Sequence, residues 1–300
     1  MRSRTIVITG GSGLLGLNWA ITRREKDRIV LVRHRREVTL PGVESLSVDL
    51  ASVDAVRIAL DEVEADLCVH TAGMTSVEAC EAHPVEARRV NAGLADSVAC
   101  ACAGAGIPMV HISTDHLFSG TRPFCDEACP VEPQNVYART KFEGECRVAE
   151  THSKALIVRT NFYGWGPAYR PSFSDWIIRT LRANERITLF EDAWYTPILM
   201  SRLIQATHEL VDLGASGLFN VVGDERLSKY DFGVQLASRF ELDAGLIDRG
   251  RLSEYDAPVK RPLDMSLDNR KLRNRLGRDM GNVDALLTEL RQQESEFRIG

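Results

Sequence analysis

Tyr137 and Lys141 lie four residues apart in the segment "VYARTK", a spacing that puts both side chains on one face of a helix. A lysine ammonium close to a tyrosine hydroxyl favours the phenolate, so such a tyrosine can exchange a proton with a carbonyl or an alcohol. The strand predicted before this helix, "IPMVHIST", ends at Thr114, whose hydroxyl could hydrogen-bond the same substrate oxygen. The spacing alone is weak, because surface helices produce it by chance, and a buried strand end is the alternative for Thr114. Together the three residues indicate proton transfer at a substrate oxygen.

A glycine-rich turn, "TGGSGLLG", follows the first apolar strand. Gly11, Gly13 and Gly16 give the spacing G-x-G-x-x-G, and Gly10 in place of Gly11 gives a wider spacing. Such glycines allow a tight turn, close approach of a pyrophosphate and close packing of the helix that opens at Leu14. The N–H groups at that helix start would face the phosphates. An ordinary strand–helix turn is the alternative, but the position behind the first strand favours dinucleotide binding.

The end of the second predicted strand bears on which dinucleotide binds. This strand, "RIVLV", is followed by the basic run "RHRR", with no carboxylate before Glu37. Enzymes that prefer NAD place an acid there, whereas an arginine can bind a 2′-phosphate. Arg33 and Arg35 therefore predict a preference for NADP(H), although a solvated basic turn is the alternative. Asp49, after the third strand, is expected to meet the adenine.

Strands and helices alternate through the first half of the chain, which predicts an α/β fold with a Rossmann-type, doubly wound parallel sheet. Ser52 is a candidate N-cap for the helix "VDAVRIALDEVEA", and a single helix is predicted from about Pro84 to Ala105. From Phe162 the loop "YGWGPAYRPSFSDW" is typical of a pocket. The predicted dinucleotide domain is 1–161 with a returning segment at about 190–215. The predicted substrate-binding lobe, smaller and C-terminal, is 162–189 with 216–300.

Composition limits the classes of partner. The net charge of −5 offers no basic field for nucleic acid, and no apolar stretch approaches the ~20 residues of a membrane span. The start "MRSRTIVITGG" runs directly into a strand, which predicts a cytoplasmic protein without a signal peptide. The cysteines match no zinc spacing, so buried or incidental thiols are favoured over a metal site or disulfides. They are Cys68, Cys80, Cys100, Cys102, Cys125, Cys129 and Cys146.

The motifs together resemble a known family. The glycine turn, "VNAG", "HISTDHLFSG" and "NVYARTKFEGE" are similar to an extended short-chain dehydrogenase/reductase, and most similar to the dTDP-4-dehydrorhamnose reductase family of sugar-nucleotide reductases. The resemblance continues through "TAGMTSVEACE", "IVRTNFYG" and "RPLDMSLDNRKL", so it spans nearly the whole chain. It implies reduction of a nucleotide-linked 4-keto-6-deoxy sugar by NADPH, with NAD as a second cofactor that family members accept.

The resemblance also implies roles for individual residues. Thr114 would bind the substrate carbonyl, Tyr137 would deliver the proton, and Lys141 would hold the nicotinamide ribose and tune Tyr137. Asn91 would support the proton relay, with a helix-interrupting cap as the alternative. The expected cofactor-binding residues are Gly10, Gly13, Leu14, Leu15, Gly16, Arg33, His34, Arg35, Asp49, Leu50, Ala72, Gly73, Met74, Tyr137, Lys141 and Thr160. The expected substrate-binding residues are Thr75, Thr114, His116, Asn161 and Phe162.

Two departures from the family pattern concern the sugar. The family usually has tyrosine where this chain has His116, and "RTS" followed by tryptophan where this chain has "RTN" followed by Phe162. The reaction class is unaffected, but the identity of the sugar stays open.

Members of the superfamily often dimerise through helices that correspond to about 84–105 and 136–151, so a homodimer is expected.

Two other functions stay open. One is a bifunctional epimerase–reductase of the GDP-fucose synthase type, with His116 as an acid/base. That mechanism usually needs a second histidine, and none lies between His152 and His208. The other is a non-catalytic NADP-binding subunit like the regulatory β subunit of methionine adenosyltransferase, which the presence of Thr114, Tyr137 and Lys141 disfavours.

Overall fold

The structure is a computed structural model that describes residues 3–34 and 36–295. Its strands are β1 Thr5–Thr9, β2 Arg28–Arg33, β3 Val43–Ser47, β4 Leu67–His70, β5 Met109–Ile112, β6 Leu156–Arg159, β7 Phe162–Tyr163, β8 Ile187–Phe190, β9 Trp194–Tyr195, β10 Ile198–Leu199, β11 Gly217–Asn220, β12 Leu227–Ser228 and β13 Ile247–Gly250. Its α-helices are α1 Leu14–Arg23, α2 Val53–Glu62, α3 Val77–Ala82, α4 Pro84–Arg88, α5 Leu94–Ala105, α6 Val136–Thr151, α7 Phe173–Arg182, α8 Met200–Asp212, α9 Lys229–Arg239, α10 Arg270–Leu276 and α11 Val283–Gln292.

The chain divides into two compact units. The first unit takes in Met1–Thr114, Asn135–Val158 and Val211–Phe219, and the second takes in Asp115–Gln134, Arg159–Leu210 and Asn220–Gly300. These bounds differ from the predicted domains, since the segment after Thr114 leaves the first unit and a shorter segment returns to it.

The first unit holds a seven-stranded sheet in the order β11-β6-β5-β4-β1-β2-β3. The pairs from β3 to β6 are parallel, and the order β3-β2-β1-β4-β5-β6 is that of a Rossmann fold. The prediction of a doubly wound parallel sheet is confirmed. One element differs: "GLFN", which was predicted for the substrate lobe, is the edge strand β11 of this sheet.

Short apolar runs form the sheet because both of its faces are covered. Strands β1, β4, β5 and β6 are buried along their whole lengths, as expected where helices pack on both sides. Ser52 caps α2 as predicted, with its hydroxyl accepting from the N–H of Ala55 at 3.2 Å. The core of this unit contains Val7, Val30, Val32, Val56, Leu60, Cys68, Ala95, Val98, Ala99, Cys102, Met109 and Ile157.

The helix predicted at about 84–105 is interrupted. A π-helical turn at Arg89–Gly93 separates α4 from α5, and such turns occur often at functional sites. Helix α6 packs closely on this turn, because a Cβ at Gly144 would lie 2.5 Å from the backbone oxygen of Asn91. The small residues of α5 pack at least partly on their own sheet, since Ala99 and Cys102 are core residues. The homodimer stays a prediction.

The second unit contains three two-stranded pairs: β7 with β10 in parallel, β9 with β12 antiparallel, and β8 with β13 in parallel. Helix α7 begins with a capping box formed by Ser172 and Asp175. The core of this unit contains Tyr163, Ile177, Ile178, Leu181, Leu189, Tyr195, Phe232, Leu236, Leu286 and Leu287. Over residues 3–34 and 36–295, every helix is too short or too polar to cross a membrane.

We expect Gly144→Ala to destabilise the first unit by about 1–3 kcal/mol, because the added methyl group must push α6 away from the π-helical turn. The control is Gly104→Ala on α5, where an added Cβ meets nothing within 4 Å. That control should be neutral or gain up to about 1 kcal/mol from helix propensity. Urea unfolding of both variants checks the prediction, and equal stability of the two would contradict it.

Candidate active site

Lys141 fastens helix α6 to the carboxyl end of β5. Its Nζ donates a hydrogen bond of 2.7 Å to the backbone oxygen of Ile112, two residues before Thr114. Tyr137 lies one helical turn earlier on the same helix, where Asn135 caps the first turn by accepting from the N–H of Ala138 at 2.9 Å. Tyr137, Lys141 and Thr114 are 8%, 6% and 4% exposed. The three residues predicted to act on the substrate oxygen thus belong to two elements that one buried hydrogen bond joins.

The Lys141 ammonium is destabilised by its surroundings. Burial lowers its pKa to about 8, and the carboxylate of Glu145, one turn further along α6, acts in the opposite direction. A lysine in this state is still largely protonated at neutral pH. It can therefore act as a fixed positive charge beside Tyr137.

Two histidines near Lys141 were missed by the sequence analysis. His70 and His111 are direct neighbours on β4 and β5, and their rings stack with centroids 5.5 Å apart. Burial and the charge of Lys141 lower the pKa of His70 to about 3 and that of His111 well below its usual value. Both rings are therefore neutral. Thr9 on β1 shares a hydrogen bond of 2.8 Å with Nδ1 of His70.

Asn91 lies in the π-helical turn and holds the segment after β4. Its side-chain oxygen accepts from the N–H of Met74 at 2.8 Å, and its Nδ2 donates to the Met74 carbonyl at 3.1 Å. Nδ2 also donates to the Thr140 hydroxyl at 3.0 Å, which in turn donates to the carbonyl of Tyr137 at 3.0 Å. These contacts make Asn91 a positioning residue for two predicted cofactor and catalytic segments. Its part in a proton relay stays a prediction.

The glycine turn leaves no room for side chains. Gly10 has a φ of +70°, and a Cβ there would lie 2.7 Å from the backbone nitrogen of Ala72. A Cβ at Gly16 would lie 2.7 Å from the Gly10 oxygen. Helix α1 begins at Leu14 with Gly13 as its N-cap, so no side chain from the cap bonds its first N–H groups. Leu15, in the first turn of the helix, is buried.

The predicted residues for the adenosine side of the cofactor lie after β2 and β3. Arg33 ends β2 and donates weakly to the Ser45 hydroxyl at 3.4 Å, and its guanidinium is 3.7 Å from Glu37. His34 is exposed, and Arg35 lies outside the described residues. An oxygen of Asp49 accepts from the N–H of Ala51 at 3.0 Å. Leu50 lines a small apolar cavity together with Val7, Val32 and Leu60.

The remaining predicted residues of the first unit follow β4. Ala72, Gly73 and Met74 are half-buried, and Thr75 is exposed. Thr71, which the prediction omitted, donates its hydroxyl proton to the Thr9 carbonyl at 2.7 Å and so ties this segment to the end of β1.

In the second unit, two predicted substrate residues, Asn161 and His116, lie next to Asp115. Nδ2 of Asn161 donates to Asp115 at 2.5 Å, and Nε2 of His116 lies 3.9 Å from the other carboxylate oxygen. Burial lowers the pKa of His116, Lys229 and Arg261 lower it further, and Asp115 opposes them. His116 is therefore neutral at pH 7.

Two other predicted residues of this unit occupy different positions. Phe162 lies in β7 opposite Ile198. The hydroxyl of Thr160 is buried, and no partner for it exists among the residues that the structure describes.

The sequence analysis also missed a lysine in the second unit. The ammonium of Lys229 lies 3.3 Å from the ring centroid of Tyr195 and 4.8 Å from that of Phe173. Burial lowers its pKa to about 8, and Asp115 opposes the shift. The segment "LSKYDFG" belongs to the family resemblance, but the sequence assigned Lys229 no role, because Tyr195 and Asp115 are distant from it along the chain.

Comparison with known proteins decides the family. The model of the RmlD substrate binding domain family matches residues 4–294. The chain belongs to this family. The predicted resemblance to dTDP-4-dehydrorhamnose reductases is confirmed, and so is the predicted enzyme class, an NAD(P)-dependent oxidoreductase of the short-chain dehydrogenase/reductase type.

Members of the RmlD family match along most of the chain. A probable low-salt glycan biosynthesis reductase of Haloferax volcanii is 31% identical over 97% of this chain and 98% of its own length. The dTDP-4-dehydrorhamnose reductase of Mycobacterium tuberculosis is 30% identical over 72% of this chain and 68% of its own length. The subunit β of methionine adenosyltransferase 2 of Rattus norvegicus is 26% identical over 90% of this chain and 82% of its own length.

A solved structure confirms the fold. The dTDP-4-dehydrorhamnose reductase of Bacillus anthracis, in complex with NADP, has a TM-score of 0.86 and 24% identity, covering 97% of this chain and 100% of that one.

Proposed function

We propose that this chain reduces the 4-keto group of a nucleotide-linked 4-keto-6-deoxy sugar, with NADPH as the hydride donor. The observation that carries the proposal is the hydrogen bond from Lys141 to Ile112, which ties the helix of Tyr137 to the strand end that leads into Thr114. The curated relatives support it, because several members of the family are reductases named for such sugars.

The chain's own residues supply the proton and hold the substrate oxygen. Tyr137 gives its hydroxyl proton to the carbonyl oxygen as the carbon accepts a hydride, so that the ketone becomes an alcohol. The Thr114 hydroxyl donates a hydrogen bond to the same oxygen. Lys141 stabilises the tyrosinate that remains, because its ammonium is a fixed opposite charge on the same helix face.

The turn at Gly10–Gly16 fits a dinucleotide. A pyrophosphate needs close backbone approach and free N–H groups at a helix start, and this turn excludes side chains at both Gly10 and Gly16. When bound, NADPH supplies the hydride. Gly10, Gly13, Leu14, Leu15 and Gly16 would hold its pyrophosphate, Arg33 and His34 its adenosine side, and Lys141 its nicotinamide ribose. The remaining residues assigned to it are Arg35, Asp49, Leu50, Ala72, Gly73, Met74, Tyr137 and Thr160.

The surroundings of His116 favour this proposal over an epimerase–reductase. Burial, Lys229 and Arg261 lower the pKa of His116, which disfavours the protonated form that a general acid needs. We therefore assign His116 a substrate contact, together with Asn161, Phe162 and Thr75. Turnover in D₂O distinguishes the two, since an epimerase exchanges carbon-bound protons of the sugar and a simple reductase leaves those positions unlabelled.

The defining assay is oxidation of NADPH across 4-keto-6-deoxy sugars linked to dTDP, GDP, CDP and UDP. Turnover of at least one substrate is expected. Complete inactivity, with co-purification of a synthetase subunit, would instead support a regulatory role like that of the β subunit of methionine adenosyltransferase.

We expect Tyr137→Phe to lower kcat by ~10²-fold or more, because the variant keeps the ring and loses the positioned acid. Tyr255→Phe is the matched control, since Tyr255 is 59% exposed and outside the proposed site. Initial rates at saturating substrate check the prediction. Near-normal turnover by Tyr137→Phe would remove Tyr137 from the mechanism.

We expect kcat to fall above about pH 8 in the wild type. The pKa of Lys141 in the folded protein is lowered to about 8, so its ammonium is present below that pH and is lost as the pH rises through it. Saturating substrate keeps substrate-binding groups from contributing. Lys141→Arg retains a charge far above this range, so its lower activity should not show the same decline. An identical decline in both proteins would assign the pH dependence to another group.

We expect NADPH to exceed NADH in kcat/KM, because Arg33 can bind a 2′-phosphate with charge-assisted hydrogen bonds. Glu37 pairs loosely with Arg33 and is 86% exposed, so it can turn away into solvent. Arg33→Ala should lower kcat/KM for NADPH about tenfold and leave kcat/KM for NADH nearly unchanged. Adding Arg35→Ala should further reduce the difference in kcat/KM between the two cofactors. Arg57→Ala on the exposed face of α2 is the control. Equal or better efficiency with NADH in the wild type would refute the preference.

A further inference from the structure

Lys229 is a cation at the N-terminus of helix α9, where a positive charge destabilises a helix. It is the first residue of α9, directly after the N-cap Ser228, and its backbone N–H donates to Ala193 at 2.9 Å. A cation at a helix N-terminus opposes the helix dipole, at a cost of about 0.3–1 kcal/mol. Another role must account for a lysine here.

The ammonium of Lys229 lies against aromatic rings. Its Nζ lies over the rings of Tyr195 and Phe173 at 3.3 and 4.8 Å. Over residues 3–34 and 36–295, Lys229 donates no side-chain hydrogen bond and forms no ion pair within 4.0 Å. Its side chain is half-buried, so the three N–H donors can still reach a ligand.

The neighbours of this ammonium belong to the cluster around Asp115. Asp115 raises the pKa of Lys229, and Lys229 in turn lowers the pKa of His116. Asp115 also accepts the hydrogen bond from Asn161. The backbone connects the same groups, because Tyr195, whose ring lies under the Lys229 ammonium, is three residues before Ile198, and the Ile198 N–H donates to the Asn161 carbonyl at 3.0 Å. Lys229 therefore belongs to the same part of the second unit as Asn161 and His116, which the proposed function assigns to the substrate.

The carboxylate of Asp115 decides which part of a substrate this cluster can take. A phosphate beside Asp115 would be repelled by it. A hydroxyl group meets no such penalty, because it can accept from an ammonium and donate to a carboxylate at the same time. A cluster that contains both an ammonium and a carboxylate therefore matches the hydroxyl-bearing sugar rather than the diphosphate.

We propose that Lys229 is a substrate-binding residue, whose ammonium donates a hydrogen bond to a hydroxyl of the substrate's sugar while Asp115 accepts one from that sugar. The inference rests on the proposed function and deepens it, since it names the portion of the nucleotide sugar that this cluster recognises.

A purely structural role is the competing explanation, in which the cation stabilises the fold through Tyr195 and Phe173. Lys229→Met separates the two roles. Methionine keeps an unbranched apolar stem and makes favourable sulfur–aromatic contacts, so it replaces most of the packing but none of the donors. Lys229→Gln returns donors without the charge and should restore part of the binding.

The experiment measures dissociation constants by calorimetry with the full chain. The ligands are rhamnose linked to dTDP, UDP, GDP or CDP, and the four nucleoside diphosphates alone. We expect Lys229→Met to weaken binding of the preferred nucleotide sugar about tenfold or more, as for loss of a charged hydrogen bond, and to leave the nucleoside diphosphate within about twofold. Lys154→Met, which removes an exposed lysine of the first unit, should change neither constant.

The other possible results of this binding experiment contradict either the role of Lys229 alone or the proposed function as well. Unchanged binding of the nucleotide sugar by Lys229→Met would refute the role of Lys229 and leave the proposed function intact. Equal weakening of both ligands would make the diphosphate the partner and also refute the proposal. A wild type that binds none of the eight ligands would remove the proposed function and this inference together. Thermal melting accompanies each variant, and if Lys229→Met does not fold, the same comparison with Lys229→Gln decides.

Discussion

The buried ammonium of Lys141 is the constraint on which the first unit's site depends. A charge in a medium of low polarity needs a polar partner, and Lys141 finds one in the backbone oxygen of Ile112. A carbonyl in a strand cannot move far, so this bond sets the position of α6 against β5. Tyr137 lies one helical turn before Lys141 and is positioned with it. His70 and His111 stay neutral because they are buried and because a second cation near Lys141 would be repelled.

Lys141 and Lys229, the two lysines whose pKa values burial lowers, differ in the groups that surround their ammonium groups. Lys141 donates one hydrogen bond to the main-chain carbonyl of Ile112, so its ammonium helps to hold α6 against β5. Lys229 rests on the faces of Tyr195 and Phe173, which attract its charge but accept no conventional hydrogen bond. The hydrogen bond to Ile112 fixes the position of Lys141. The N–H donors of Lys229 stay available for the ligand that we propose. The two lysines thus differ in the polar groups that their ammonium groups meet.

Local sequence signals predicted the features that depend on local geometry. The glycine turn, the cap at Ser52 and the shared face of Tyr137 and Lys141 follow from spacing within a few residues, and the strand–helix alternation fixed the sheet type. The π-helical turn at Arg89–Gly93 was not predicted as such, although an interruption of the helix at Asn91 was one alternative, and Gly144 of α6 packs against it. Strand β11 was misassigned because a short apolar run reads alike in either unit. Lys229 was missed because tertiary structure alone brings it to Tyr195 and Asp115.

The stacked histidines in the middle of the sheet have a consequence for the protein in acid. A histidine in the unfolded chain takes up a proton near pH 6.5, whereas His70 in the folded protein resists protonation down to about pH 3. Between these values the unfolded state binds more protons, so the free energy of unfolding decreases as the pH falls below 6.5. His111 adds to the same slope, because its pKa is also depressed. Part of this protein's acid sensitivity therefore originates between β4 and β5, at two stacked rings whose pKa values burial and the charge of Lys141 lower.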